Sequence, residues 1–303
     1  MSKKKLIGII GACVIVAIVV VIIATRPTPT YTLSLNVSPS GAGSVSPSGG
    51  QYASGVQITL TASPASSYQF SNWTGDVDTV ANVSALSTTI TIKRNCAVVA
   101  NFEQKPVHIP DPNLEAAIRE TIDKPTGSIY RSDVEAITFL SAGHSNITIL
   151  VGLEYCTNLR ELGLCCNQIS DMSPLSNLTK LEMLSIEENQ ISDVSSLENL
   201  VNLTNLWIED NQITDISSLA NLTNLEYLGL GHNHISDISV LASLVNLGLL
   251  SLEDNQISDI SPLVDNPGLG EEDYVFLENN PLSSRSVNIY IPQLEARWVF
   301  VDY

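Results

Sequence analysis

The chain has 303 residues, with 14 Lys plus Arg against 32 Asp plus Glu and a formal net charge of −18. Four of those bases (Lys3, Lys4, Lys5 and Arg26) flank one apolar segment, so the remainder is more acidic still and repels phosphate backbones; nucleic acid is excluded as a partner of the folded part. Five cysteines without regular spacing exclude a disulfide scaffold and a zinc ribbon.

Leu6 to Thr25 runs for 20 residues without a charge, enough at ~1.5 Å per residue to cross a ~30 Å hydrocarbon core. Three lysines precede it and Arg26 alone follows. The positive-inside rule therefore expects residues 1–26 as a cytoplasmic tail and single-pass transmembrane anchor, with residues 27–303 extracellular. A cleaved signal peptide is the alternative, although its apolar stretch is usually shorter and Ile23 and Thr25 match a cleavage site poorly. Ile10-Gly11-Ala12-Cys13 resembles the lipobox of bacterial lipoproteins, where the cysteine is lipidated. It departs from that pattern in the ten apolar residues that continue past Cys13, which suit a small membrane residue.

Residues 27–30 read as a short stiff linker, and 31–104 as a small strand-dominated module. Residues 31–37, 56–61, 89–93 and 97–102 alternate apolar and polar at period two, and Gly-Ala-Gly (41–43) and Pro-Ser-Gly-Gly (47–50) mark turns. The run VSPSGAGSVSPSGGQYASGVQITLTASPASSYQFSNWTGD and the closing AVVANF resemble the divergent B-repeat module of internalin-like surface proteins. Trp73 is weighed between a binding aromatic and a core anchor. The core anchor is favoured, because so small a module needs one large ring to close its interior.

Asn167, Asn189, Asn211, Asn233 and Asn255 recur every 22 residues and close the phrases LGLCCN, LSIEEN, LWIEDN, LGLGHN and LSLEDN. An Ile follows each Asn by two positions, and an Asp stands two beyond that (Asp171, Asp193, Asp215, Asp237, Asp259). Five in-phase copies of LxLxxNxIxD are the leucine-rich repeat signature, with one short strand per coil of a parallel stack. The apolar letters point inward. The Asn ladder is expected to satisfy backbone groups where each coil bends, and the Asp to accept N–H groups at the next turn. A catalytic or calcium role for the Asp residues is disfavoured, since a position repeated in every coil is normally architectural.

An offset copy is read before the array (Ile137 to Ile149) and an imperfect one after it (Val275, Leu277, Asn280). Asp111-Pro112 leads into LEAAIRETI, whose residues 114, 117, 118 and 122 share one helical face. IPDPNLEAAIRE and NNPLSSRSVNIYIPQLEAR resemble the helical N-cap and the C-cap of the internalin-type leucine-rich repeat domain. That resemblance covers about 109–303. It implies an α/β solenoid with parallel strands on its concave face, with 105–135 as linker and helical N-cap, 136–282 as repeats and 283–303 as C-cap. Trp298 departs from the pattern, for relatives tend to have Gly before the final strand. No cell-wall sorting tail follows the cap, so attachment is expected from the N-terminus.

No nucleophile triad, paired catalytic carboxylate or phosphate loop is present in the sequence, and neither an enzyme nor a cofactor is expected. His232 and His234 form an HxH pair, which reads better as a variable surface turn than as metal ligands, and no metal site is expected. Cys156 stands where other coils have Leu and is expected to be a buried thiol. Cys165 and Cys166 fall on the exposed face, as free thiols, a strained vicinal bridge or an interchain pair. The x positions of the strands project from the concave face. Met183, Asn205, Tyr227 and Leu249 share one column, Trp207 stands in the next, and Glu187, Glu209 and Glu253 form an acidic ridge. Apolar anchors rimmed by charge make a binding surface for a protein ligand with a basic rim. The sequence thus reads as an outward-facing recognition or adhesion protein. The alternatives are a carbohydrate or envelope-polymer binder, using Trp207 and Tyr227 as stacking platforms, and a purely structural surface element.

Overall fold

The computed structural model describes residues 27–303. The apolar segment at 6–25, and with it the expected transmembrane helix, lies outside them. Among the described residues no helix is long and apolar enough to cross a membrane. The chain divides into two compact units, one ending at Glu103 and the other spanning Gln104–Tyr303.

The first unit is all strand: β1 (Thr30–Ser38), β2 (Gly43–Ser46), β3 (Gly50–Ala53), β4 (Gln57–Pro64), β5 (Tyr68–Gly75), β6 (Ser87–Thr91) and β7 (Cys96–Gln104). They form a four-stranded sheet in the order β3-β1-β7-β5 and a three-stranded sheet in the order β2-β4-β6. The inward residues of the alternating runs (Leu33, Leu60, Ile90, Val98, Ala100) meet between the sheets around Trp73. Trp73 is 1% exposed, and its indole N–H donates to the Ala85 carbonyl at 2.9 Å. It is the core anchor of the unit, with no face left for a ligand.

The second unit is a solenoid whose eight parallel strands stack in sequence order: β8 (Phe139–Ser141), β9 (Glu161–Gly163), β10 (Met183–Ser185), β11 (Asn205–Trp207), β12 (Tyr227–Gly229), β13 (Leu249–Ser251), β14 (Tyr274–Phe276) and β15 (Phe300–Asp302). Each strand is three residues long because only the central Leu or Val turns inward; the chain must then bend to return. The return path opposite the sheet is made of short 3₁₀ turns such as Ser195–Leu197 and Ser217–Asn221. The repeat phrase places Leu184, Ile186, Ile191, Leu197, Leu200 and Leu203 in one continuous core with their equivalents in neighbouring coils.

Buried asparagines tie the coils together. The Asn189 side-chain amide donates to Leu164 O of the preceding coil (3.1 Å) and to Ile186 O of its own (3.1 Å), while its Oδ1 accepts from Ile169 N (3.0 Å). Asn167, Asn211, Asn233 and Asn255 repeat this arrangement, and Asn280 extends it. Each Asp that follows accepts the backbone N–H two residues on: Ser195 N to Asp193 and Ser217 N to Asp215, both at 2.8 Å.

Both ends of the core are covered. Helix Pro112–Thr121 buries Leu114 and Ile118. Its N-cap, Asp111, accepts from Asn113 N and Leu114 N with one oxygen and from Thr148 N, Thr148 Oγ1 and Ile149 N with the other. Burial alone would raise the Asp111 pKa; the N–H groups of Thr148, Leu114 and Ile149 outweigh it and hold the carboxyl below the usual range. At the other end Ile291 and Leu294 close the core, and the Arg297 guanidinium donates to Val264 O (2.9 Å) and Asn266 O (2.6 Å).

One sequence reading needs revision, and one gains detail. The copy before the array is in phase, since β8 pairs with β9 in the same register as the later strands, Leu140 opposite Leu162. Ser145 stands in its Asn position and hides it. The coil after Asn255 is longer by three residues, which carries β14 and β15 past the point where the 22-residue period stops.

Candidate ligand-binding face

The outward positions of the strands form two columns. The first runs Phe139, Glu161, Met183, Asn205, Tyr227, Leu249, Tyr274, Phe300, and the second Ser141, Gly163, Ser185, Trp207, Gly229, Ser251, Phe276, Asp302. Beyond the strands, the next outward position carries Gly143, Cys165, Glu187, Glu209, Gly231 and Glu253. Its successor carries His144, Cys166, Glu188, Asp210, His232 and Asp254, all at left-handed φ between 51° and 57°.

Trp207 and Tyr227 stand in different columns on adjacent strands, and their rings meet at 5.0 Å with a 34° tilt. The Tyr227 hydroxyl donates to Glu209 Oε1 at 3.4 Å. The sequence places Glu209 on an exposed ridge, and here the structure differs. Its carboxylate folds over Gly229, where any Cβ would collide with it, and Oε2 is buried without a hydrogen-bond partner. In the coils of Glu187 and Glu253 a serine in the second column (Ser185, Ser251) donates to the carboxylate at 2.8 and 2.7 Å. Trp207 replaces that serine, so Glu209 has no such donor. Burial raises the Glu209 pKa above the carboxylate norm, and the charges of Glu187 and Glu253 push it the same way. Burial, with Glu209 beside it, pushes the Tyr227 phenol up to about 12.

The expected anchors Met183, Asn205, Tyr227, Leu249 and Trp207 are half-buried rather than freely exposed, as are Glu187 and Glu253. The most open rings of the sheet were not singled out from sequence: Phe139 (56% exposed), Tyr274 (45%) and Phe300 (53%). Tyr274 and Phe276 both pack against Phe300, at 5.7 and 6.4 Å between centroids. The strand face therefore carries a second aromatic cluster at its C-terminal end.

Trp298 has φ 68° and is 77% exposed. Its N–H donates to Glu295 O (2.9 Å) and Val299 N donates to Leu294 O (3.2 Å), which closes helix Ile291–Glu295 in the left-handed capping position where Gly is favoured.

Cys156 is fully buried in the core, which pushes its thiol up to about 12. Cys165 and Cys166 are free and half-buried. Desolvation, then Cys165 and Glu188, push the Cys166 thiol up to about 12. His144 lies beside them, and the ligand atoms of the three residues are all within 4.8 Å of one another. The HxH pair does not form such a group: His232 Nδ1 faces Asp254 Oδ2 at 3.5 Å, and His234 points to solvent.

A family model for the divergent InlB B-repeat domain matches residues 33–106, and one for paired leucine-rich repeats matches residues 179–221 and 223–265. Among solved structures, internalin C2 of Listeria monocytogenes is 36% identical over 64% of this chain and 93% of its own, with a TM-score of 0.49. The internalin inlF from the same organism is 33% identical over 64% of this chain and 63% of its own, with a TM-score of 0.52. InlJ of Listeria monocytogenes, whose functional domain includes a cysteine ladder, is 22% identical over 59% of this chain and 40% of its own, with a TM-score of 0.52; it bears on the fold alone. No curated protein matches the chain.

Proposed function

The chain belongs to the internalin-like leucine-rich repeat proteins with an N-terminal B-repeat module, and from that membership we propose that it is a membrane-anchored, outward-facing recognition protein that binds a protein ligand on the concave strand face of its repeats. The fold is a protein-interaction scaffold, and stacked coils offer one broad surface rather than an enclosed reaction chamber. One observation carries the reading. Large rings gather on the strand face in two places, Trp207 with Tyr227 and Tyr274 with Phe276 and Phe300, although nothing in the repeat phrase requires a ring at any of these positions.

The acids beside the first ring pair define the chemistry of the partner. Glu187 and Glu253 are half-buried and Glu188 is exposed on the ridge beside the rings, so a Lys or Arg at the partner's edge would meet carboxylates there. This favours a basic-rimmed protein over a neutral sugar laid on the rings. Anchoring rests on residues 6–25 and their lysine flank, and the modules at 31–104 and 105–303 would stand outside the cell.

Two experiments test the proposal. Protease added to intact cells should degrade residues 27–303; their full protection would overturn the orientation. The soluble 27–303 chain, offered to surface-protein extracts and in parallel to a glycan array, should retain a saturable protein ligand whose affinity falls in Trp207→Ala. Saturable binding to a glycan alone would establish the carbohydrate reading, and no saturable ligand in either format would establish the structural one.

A further inference from the structure

The donor atoms of His144, Cys165 and Cys166 lie within 4.8 Å of one another on the first two coils of the solenoid. We propose that these three residues bind a zinc ion, which bridges the coil of His144 to that of Cys165 and Cys166.

Composition makes the convergence informative. The whole sequence holds four His and five Cys, yet three of these nine meet at one point. The same two outward positions in the following coils carry carboxylates or Gly, apart from one imidazole, His232: Glu187 and Glu188, Glu209 and Asp210, Gly231 and His232, Glu253 and Asp254, with no thiol among them. Soft donors are concentrated at one end of an otherwise acidic ridge. Paired thiolates with an imidazole select zinc over calcium or magnesium, which take oxygen ligands.

The backbone already holds the donors near one another. His144 and Cys166 occupy the same left-handed position of successive coils, at φ 54° and 57°, so their side chains leave the ridge one strand spacing apart, ~4.8 Å. His144 N donates to Cys165 O at 3.0 Å, which locks the two coils in register at this point. Cys165 then leans toward the His144 coil, into space that exists only because residue 143 is Gly; a Cβ there would sit 2.7 Å from Cys165 Sγ. Tetrahedral zinc with ~2.3 Å bonds to sulfur separates its ligand atoms by about 3.8 Å. Rotations of the three side chains close that gap without moving the coils.

Three protein ligands leave a fourth position. Water would take it, as at other zinc sites with three protein ligands. Binding exchanges two thiol protons for the cation and changes no oxidation state. Cys96 and Cys156 are buried in the two separate cores and cannot take part.

The test uses the full chain, reduced and kept anaerobic, with cobalt(II) as the spectroscopic probe. One equivalent should produce a thiolate-to-cobalt charge-transfer band and visible bands of tetrahedral intensity, and one equivalent of zinc should abolish both. Cys165→Ser and Cys166→Ser should each remove the charge-transfer intensity of one sulfur. His144→Ala should weaken zinc binding about 10-fold or more, and a Cys96→Ser, Cys156→Ala double variant should bind as the parent does. Unfolding midpoints measured in chelator should match the parent for every variant used. In the unmodified chain, zinc should also protect Cys165 and Cys166 from alkylation, as mapped by peptide mass. A reduced chain without the charge-transfer band, or a band of undiminished intensity in Cys165→Ser or Cys166→Ser, would overturn the assignment. So would a Cys165–Cys166 disulfide in protein taken directly from the cell surface, since those sulfurs offer no thiolate.

Discussion

Glu209 reaches across from one coil to lie over the backbone of Gly229 in the next, in a slot that no other residue type at 229 would leave open. The carboxylate is thereby partly buried, and the Tyr227 hydroxyl donates to it at 3.4 Å. Glu209 is an acid whose folded pKa is raised, so its ionised form at neutral pH destabilises the folded chain, and that penalty fades as pH falls through the raised pKa. Glu209→Gln keeps the shape and removes the charge. It should stabilise the fold at pH 7 by less than about 1 kcal/mol because the group is partly solvated, read as a higher melting temperature, and the gain should vanish in mild acid. In ligand titrations the same variant should flatten the salt dependence of binding.

Trp207→Ala should weaken ligand affinity by about 2 kcal/mol, or roughly 30-fold, as truncation of a central aromatic anchor does. The array should remain folded, because Trp207 points away from the core that Leu206 enters. Far-UV circular dichroism and affinity titration on the same sample decide it. Unchanged affinity would move the site toward Tyr274, Phe276 and Phe300, and Phe300→Ala is the companion measurement.

Asp193, Asp215 and Asp237 behave in the opposite sense to Glu209. Backbone N–H groups of Ser195, Ser217 and Ser239 hold their pKa values below the ordinary 3.8. Their contribution is therefore complete above about pH 4 and is lost as pH falls through the lowered values. Melting temperature should decline on the acid side of pH 4. The triple Asp→Asn variant keeps the acceptors, loses the titration and should show a flatter decline.

Trp298→Gly should stabilise the solenoid by about 1 kcal/mol, since a left-handed conformation costs an L side chain about that much. For a unit of this size that is a rise of about 2–4 °C in Tm. Thermal melts of the two chains side by side measure it. An unchanged or lower Tm would show that the exposed indole gains back what the backbone loses.

The repeat was legible because its letters do one job each: inward Leu, bridging Asn, capping Asp. A period of 22 then carries the register from Leu162 to Leu250 without error. What stayed hidden lay where the phrase is broken. Ser145 in place of Asn disguised the first coil and with it Phe139. The three-residue lengthening between Asn255 and Asn280 left the coil of Val275, Leu277 and Asn280 readable as an imperfect copy, but its outward column was not continued to Tyr274 and Phe300. The setting of Glu209 could not be read from its own coil, because the space it fills is made by Gly229 in the next. The convergence of His144 with Cys166 was readable in principle. The two are 22 residues apart, one period, but Ser145 beside His144 stands where the ladder Asn would mark that coil.

Every asparagine of the ladder gives hydrogen bonds to the coil before it and to its own, and takes one from the coil before. A coil thus presents the same donors and acceptors to its two neighbours whatever its outward residues are. Duplicating or excising a whole 22-residue segment would leave matching edges at the new junction, so length can change by gene-level copying in steps of one strand. The binding face would widen or narrow by ~4.8 Å each time, with no compensating change elsewhere in the interior. Such a scaffold separates the span of its footprint from the chemistry written on it.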